Sequence, residues 1–468
     1  MYRLPIFVAA LVLATSTLSP QPTPRRAGPA LAPDSTLVSD IAELLRVVAR
    51  LPGFSVAAMR DNRVMFARGF GVRNVASGAP VDSSTQFGAA SVSKVITATA
   101  ALRLYQRGVL DLDLPVRRLI PAFPDSTDRI TARRLAAHLS GLPHYGPSSM
   151  PPGRPYEEAL GSLDVFAKAP RIGVPGERYN YSTHGFTLLS AILEAAASQP
   201  ILTLLDSEVL RPLDMPGTGP MRVDLPTPAT TSMYSRTGGE LVLMPIHRDY
   251  SYSWAGAGLR STPVDLVRMT RAYFNGFLSD SIVRVAFREQ RASDGTPTGV
   301  GFGWRVGTDW RGRPIAHHAG VNDGARSVVM MFRDDSSSIA VQTNIRWVSS
   351  IESTAMVFAE ALFGSDRAGR RTLTTQGRYR GTFAGEPASG SWSIAGDTGS
   401  ISVPEAFGRL LDGESVRVDR LPVRAIRDGV YALITPWGLY PLRLDERNGL
   451  VTGEVSVASR AWHLVSTP

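Results

Sequence analysis

The chain has 468 residues, 43% of them hydrophobic and 19% charged, enough for a large core and about two folded domains. It contains no cysteine, which excludes disulfides, thiolate nucleophiles, zinc–cysteine sites and lipid attachment to an N-terminal cysteine. The formal charge is +9, but the arginines are scattered as singles and pairs (Arg117-Arg118, Arg133-Arg134, Arg370-Arg371), so nucleic-acid binding is not expected.

The first elements follow in chain order. Arg3 precedes an apolar run from Leu4 to about Leu13, and small and polar residues come next. This reads as a signal peptide over 1–22, because a stable membrane span takes roughly 20 apolar residues. An exported protein, periplasmic or extracellular, is therefore expected, with a retained anchor as the alternative. Residues 23–36 are rich in Pro and Ala and read as a linker. DIAELLRVVAR, from Asp40 to Arg50, has helical spacing, and FSVAAMRDNRVMFARGFGV reads as a hairpin turning at Asp61-Asn62.

From Ser91 to about Leu278 helical patterns dominate, including ITARRLAAHLSG, GFTLLSAILEAAAS and a helix with Pro263 in its first turn and Gly276 after its end. The glycines of GVGFGW imitate a nucleotide loop, but no helix follows, so a glycine-bearing strand is expected. Strand patterns return in GFGWRVG, RPIAHHAG, RSVVMMFRD and SSIAVQTN, before a helix in SIESTAMVFAEALFG. Strands at both ends with helices between them imply a mostly antiparallel sheet flanked by helices, of α+β type, over 37–365. Short strands broken by Asp-Gly and Asn-Gly turns then imply a small β-sandwich or β-barrel domain over 372–468.

The chain has only two lysines, Lys94 and Lys168, among its 50 basic residues. Lys94 stands three residues after Ser91 in SVSK, at the start of a helical stretch. Residues so spaced share a helical face, so the amine can reach the hydroxyl, and lysine, unlike arginine, can surrender its proton. A serine needs such a neighbouring base to act as a nucleophile, and a helix start favours an oxyanion. The plain alternative is a capping serine followed by a surface lysine. A surface cation in this chain, however, would be an arginine.

GAASVSKVITATAALRLYQRGVLDLDLPV resembles the serine segment of the β-lactamase-related hydrolases, which include class C β-lactamases, D-Ala-D-Ala carboxypeptidases and esterases. The resemblance continues through ITARRLAAHLSGLPHYG, PGERYNYSTHGFTLLSAILE, YSWAGAGLRSTPVDLVRM and HHAG, over roughly residues 40–365. It implies a penicillin-binding, β-lactamase-like fold. A Tyr-x-Asn motif in that family implies that Tyr181 shares protons with the nucleophile and leaving group. Thr183 stands at the asparagine position and would touch substrate without the amide's donor pair. Read without the resemblance, Tyr181 is a packing residue at a helix entry. His138 and Ser140 match a turn of the family that looks structural.

His318-Ala319-Gly320 stands where class C enzymes carry Lys-Thr-Gly and related esterases and peptidases often carry His-x-Gly. His317 and His318 point to opposite faces of a strand, and position in the motif selects His318 as the substrate-side residue. Gly320 would admit substrate to the strand backbone, and the N–H groups of Ser91 and Val321 would form the oxyanion hole. No ligand-spaced partner suggests metal at the His pair, and no cofactor is implied. His144 and His184 are expected as solvated loop histidines, and His247 and His463 carry no signal. Neither a Gly-x-Ser-x-Gly elbow nor a His-Glu-x-x-His helix is present.

The expected protein is thus an exported serine hydrolase that forms an acyl-enzyme on Ser91, with Lys94 and Tyr181 handling its proton. Its partner would be a small-molecule or peptide acyl substrate. No stable membrane span is expected, and the sequence leaves the oligomeric state open. A neutral histidine at 318 argues against carboxylate-bearing substrates such as β-lactams and D-Ala-D-Ala peptides, although Arg305 or Arg326 would restore carboxylate binding. The alternatives are a D-Ala-D-Ala carboxypeptidase or β-lactamase, and a non-catalytic binding or assembly protein on the same fold.

Overall fold

The computed structural model describes residues 35–145, 155–222, 227–237, 239–244, 249–364, 372–383, 385–403, 407, 409, 418–457 and 460–467. The signal peptide, most of the expected linker, and His247 lie outside them. The N-terminal hairpin forms as read, with β1 (Gly53–Arg60) and β2 (Arg63–Asn74) joined at Asp61 and Asn62. Both turn residues have positive φ, the geometry that matches a hairpin turn to the twist of its strands. A short β3 (Ala79–Pro80) lies beyond β2. From the other end of the domain come β4 (Arg305–Thr308), β5 (Pro314–Asn322), β6 (Ala325–Phe332) and β7 (Ser337–Thr343). The sheet runs β3-β2-β1-β7-β6-β5-β4, and β1 pairs with β7 antiparallel, Val56 opposite Val341.

Alternation along β1 splits the core in two. Ala57 and Met59 face the helices α2 (Ser93–Gln106) and α3 (Thr183–Ala197). Phe54, Val56 and Ala58 face α1 (Ser35–Val48) and α4 (Ile351–Phe363). α2 is buried on nearly all sides, from Ser93 through Leu102, as its lack of a polar face requires. α1 starts at Ser35, so its first two residues fall within the stretch read as linker.

Two other readings change. The helical pattern of ITARRLAAHLSG yields only five helical residues, Ala132–Ala136, because His138 takes a left-handed φ of 59° and turns the chain. GVGFGW is not strand: Gly299 and Gly303 have positive φ, and extended pairing begins at Arg305. A hairpin of Met233–Thr237 and Glu240–Met244 was not anticipated.

Beyond α4, eight antiparallel strands between Thr374 and Thr467 close into a barrel, with Thr374–Phe383 pairing back onto Arg460–Thr467. Tyr379, Trp392, Phe407, Tyr440 and Trp462 fill it. The strand Val430–Thr435 is buried on both faces. Tyr431 and Leu433 enter the barrel core, whereas Val430, Ala432 and Ile434 enter the core shared with α1 and α4. Among the described residues no single helix is long and apolar enough to cross a membrane.

Candidate active site

Ser91 sits in a 3₁₀ turn, Ala90–Val92, immediately before α2. Ala90 has φ 47°, a left-handed conformation costing a non-glycine residue about 1–3 kcal/mol, so its surroundings must hold it. They do so through the carbonyls on either side. Ser327 Oγ donates to Ala89 O at 2.5 Å, and Ser93 Oγ donates to Ala90 O at 2.7 Å. Leu259 N in turn donates to Ser93 Oγ at 3.2 Å.

One turn on, the Lys94 side chain is fully buried. Its Nζ lies 3.2 Å from Ser91 Oγ, 3.1 Å from Thr183 Oγ1 and 2.6 Å from Gly256 O. Burial, and then the nearby Arg305 cation, hold its pKa well below the usual lysine value. Among the described residues no carboxylate offsets this: Nζ instead faces the rings of Tyr181 at 5.0 Å and Phe186 at 5.4 Å. A neutral amine has two N–H groups and one lone pair. The carbonyl of Gly256 and the hydroxyl of Thr183 can take the two N–H groups, which leaves the lone pair for the Ser91 hydroxyl.

Burial raises the pKa of the Tyr181 phenol, offset only in part by the nearby Ser91 and Thr183 hydroxyls and the Arg305 cation, so the phenol is protonated at neutral pH. Thr183, expected to touch substrate, is fully buried with its Oγ1 against Lys94 and Tyr181. Two histidines clasp this segment. His138, 2% exposed, accepts from Ser182 N through Nδ1 at 3.2 Å, and its carbonyl accepts from Asn180 N at 2.8 Å. Its ring packs 4.4 Å from that of Tyr181. His144 Nδ1 accepts from Thr183 N at 3.2 Å, and burial lowers its pKa to about 4. His184, expected in a solvated loop, is instead buried at the start of α3 and stacked 4.5 Å from Phe166.

β5 closes the other side. His318 is 1% exposed, with its ring 6.4 Å from Tyr181 and Nδ1–H donating to Ala319 O at 2.7 Å. Burial, with Lys94 and Arg305 adding repulsion, pushes its pKa well below 6.5, so it is neutral at pH 7. His317, on the other face, lines a separate cavity of about 570 Å³ with Glu352. A Cβ on Gly320 would lie 2.8 Å from Ser91 N and 2.6 Å from Ala89 O, so only glycine lets β5 run against the serine turn. Val321 follows, with its side chain 41% exposed. The structure therefore gathers Ser91, Lys94, Tyr181, Thr183, His318 and Gly320 in one place.

Sequence reading missed the Gly256 carbonyl; His138 lies in a structural turn and His144 in an exposed loop, as read, and what the sequence did not show is that both rings hold the Tyr181 segment. Arg305 was left unplaced. That residue is exposed at the start of β4, its guanidinium 5.9 Å from the Tyr181 ring centre. Among the described residues no three His, Asp or Glu side chains converge as metal ligands.

The chain is similar to several known proteins. The chain is 26% identical over 313 residues to the mitochondrial serine beta-lactamase-like protein LACTB of Mus musculus, a match covering 51% of this chain and 57% of that protein. The chain thus spans little more than half the length of that relative. It is 28% identical over 296 residues to esterase EstB of Burkholderia gladioli (54% and 74% covered). It is 27% identical over 383 residues to D-aminopeptidase of Gluconobacter oxydans (78% and 69% covered). Among solved structures, the octameric penicillin-binding protein homologue from Pyrococcus abyssi superposes with a TM-score of 0.60 at 18% identity, covering 92% of this chain and all of that one. EstCE1, a hydrolase with promiscuous acyltransferase activity, superposes with a TM-score of 0.61 at 22% identity, covering 70% and 98%. Both share the fold. The Beta-lactamase family model matches residues 8–348, most of the length, and the chain belongs to that family.

Proposed function

We propose that the protein hydrolyses an ester or amide through an acyl-enzyme on Ser91. The observation that carries this reading is the buried Lys94 amine, held toward its neutral form and 3.2 Å from Ser91 Oγ. Lys94 accepts the serine proton as Oγ attacks the carbonyl carbon. The N–H groups of Ser91 and Val321 receive the developing oxyanion. Tyr181, protonated at rest, donates to the leaving group and regains a proton from Lys94 through their shared partners Ser91 and Thr183. Water then releases the acyl group from Ser91, with the same groups acting in reverse. The esterase and D-aminopeptidase relatives support both ester and amide substrates. A fluorophosphonate probe tests the chemistry: it should label wild type and leave Ser91→Ala unlabelled. A chain that resists the probe is a binding or assembly protein on this fold.

Arg305 favours a second reading for the substrate. His318 is neutral, but the exposed Arg305 guanidinium beside Tyr181 supplies the fixed cation that a substrate carboxylate needs. A D-Ala-D-Ala peptide and nitrocefin should be compared with a neutral ester in wild type and Arg305→Ala. A selective rise in KM for the carboxylate substrates supports this reading, and equal effects on all three contradict it. We also propose export. Fractionation with N-terminal sequencing tests it, and an intact Met1 on cytoplasmic protein would overturn it.

A further inference from the structure

Beside the segment that leads into Tyr181, arginines gather in excess of the carboxylates near them. A cavity of about 420 Å³ there is lined by Arg129, Arg134 and Arg291 together with Asp113 and Asp128. Asp113 is paired at 2.8 Å with Arg133, a fourth arginine of the same cavity, and Asp128 lies 3.7 Å from Arg117. That leaves Arg129, Arg134 and Arg291 with no carboxylate within 4.0 Å among the described residues.

The guanidinium groups of Arg129 and Arg134 crowd one point. A Cβ on Gly176 would meet Arg134 Cζ at 3.3 Å and Arg129 Nη2 at 3.4 Å. Gly176 has φ 94°, so the backbone there is bare where the two cations meet. Burial, and then the charge of Arg129, lowers the pKa of Arg134, and together they outweigh the opposing pull of Asp113 and Asp125.

The site is also braced. Arg134 Nη1 donates to Arg129 O at 2.7 Å, and Arg291 Nη1 donates to Gly295 O at 2.8 Å. Gly176 N donates to Leu139 O at 2.7 Å, and Ser293 N donates to Gly176 O at 2.8 Å. Planar guanidinium forks, of which those of Arg134 and Arg291 are each held by one such bond, match the oxygen pairs of a tetrahedral oxyanion. The two rim carboxylates and the small volume oppose an extended polyanion.

We propose that Arg129, Arg134 and Arg291 form a binding site for a small tetrahedral dianion, either phosphate or a phosphate monoester. Calorimetric titration of the full chain at constant ionic strength tests it, with inorganic phosphate and phenyl phosphate as probes. Phosphate should bind wild type with a Kd below about 1 mM. Arg129→Gln/Arg134→Gln should weaken it by about tenfold or more, as should the exposed Arg291→Gln if the double variant fails to fold. The exposed Arg178→Gln, a control for general electrostatics, should bind as wild type does. Phosphate alone marks a site for the free ion, and binding of both probes marks a site for the monoester. Equal binding by wild type and the Arg291 or double variant would overturn the site, as would no heat at about 10 mM phosphate.

Discussion

Lys94 is one of two lysines in the chain, and its environment distinguishes it from the other, since Lys168 is exposed on the surface. Lys94→Arg keeps roughly the reach but puts a fixed charge where the amine is held toward its neutral form, and the guanidinium cannot surrender a proton. The variant is expected to fold and to acylate about a hundredfold more slowly or worse, read as the rate of probe labelling. The buried histidines set a second outcome. His138 and His318 have pKa values well below 6.5, and those of His184 and His317 fall to about 4, in each case chiefly through burial. Unfolded, these rings titrate near 6.5, so below that pH the unfolded chain holds more protons than the folded one. Their stabilising contribution is complete above about pH 6.5 and is lost as pH falls toward the folded values. Tm should therefore drop between pH 7 and 4.5, and a flat profile would show that these rings are not buried as neutral groups. At this scale the motif residues were legible because their chemistry is local, Ser91 and Lys94 being three residues apart. The Gly256 carbonyl was not legible, since any residue type has one and only the fold brings it to Lys94.

The serine turn is held by elements far apart in the chain, and its tightest approach is to β5. Gly320→Ala would drive a methyl group to within 2.8 Å of Ser91 N and 2.6 Å of Ala89 O, so the strand or the turn must move. Losing an oxyanion donor costs about 10²–10³ in rate, and the acylation rate of Gly320→Ala should fall by that order with the Tm little changed. A rate within about threefold of wild type would mean that β5 does not complete the oxyanion hole. Strand alternation and the helix start at Pro263 were readable in the sequence because each reports on local backbone geometry, although that helix ends at Met269 and passes into a 3₁₀ turn, Thr270–Tyr273, before Gly276 is reached. The overrun of ITARRLAAHLSG was not readable. Its apolar spacing continues past Ala136, while the left-handed turn at His138 is stabilised from outside, by Asn180 N on its carbonyl and Ser182 N on its ring.

At the scale of the molecule the barrel is part of the core rather than an appendage. Leu439 N donates to Thr354 Oγ1 of α4 at 3.0 Å, and a Cβ on Gly438 would meet that oxygen at 2.7 Å. Glu360, also on α4 and 2% exposed, ties three parts together. It pairs with Arg311 at 3.1 Å and Arg313 at 3.3 Å from the β4–β5 connection, and with Arg427 at 2.8 Å from the barrel. Removing one partner of a buried ion network typically costs about 3–5 kcal/mol. Glu360→Gln should lower the unfolding free energy by about that amount in urea titration, and a loss below about 1 kcal/mol would make the network peripheral. The start of the barrel was visible as a change in composition near residue 372. The packing of VYALIT into both cores was foreshadowed only by its unbroken apolar run, which fits a strand covered on both faces but does not say by what.

The most direct measurement is peptide mapping of the fluorophosphonate adduct in wild type, Lys94→Arg and Lys168→Arg, sampled over time. If Lys94 is the base for Ser91, the adduct lies on Ser91 alone in all three, forms equally fast in wild type and Lys168→Arg, and forms about a hundredfold more slowly in Lys94→Arg. An adduct on another serine, or equal rates in the two arginine variants, would contradict it.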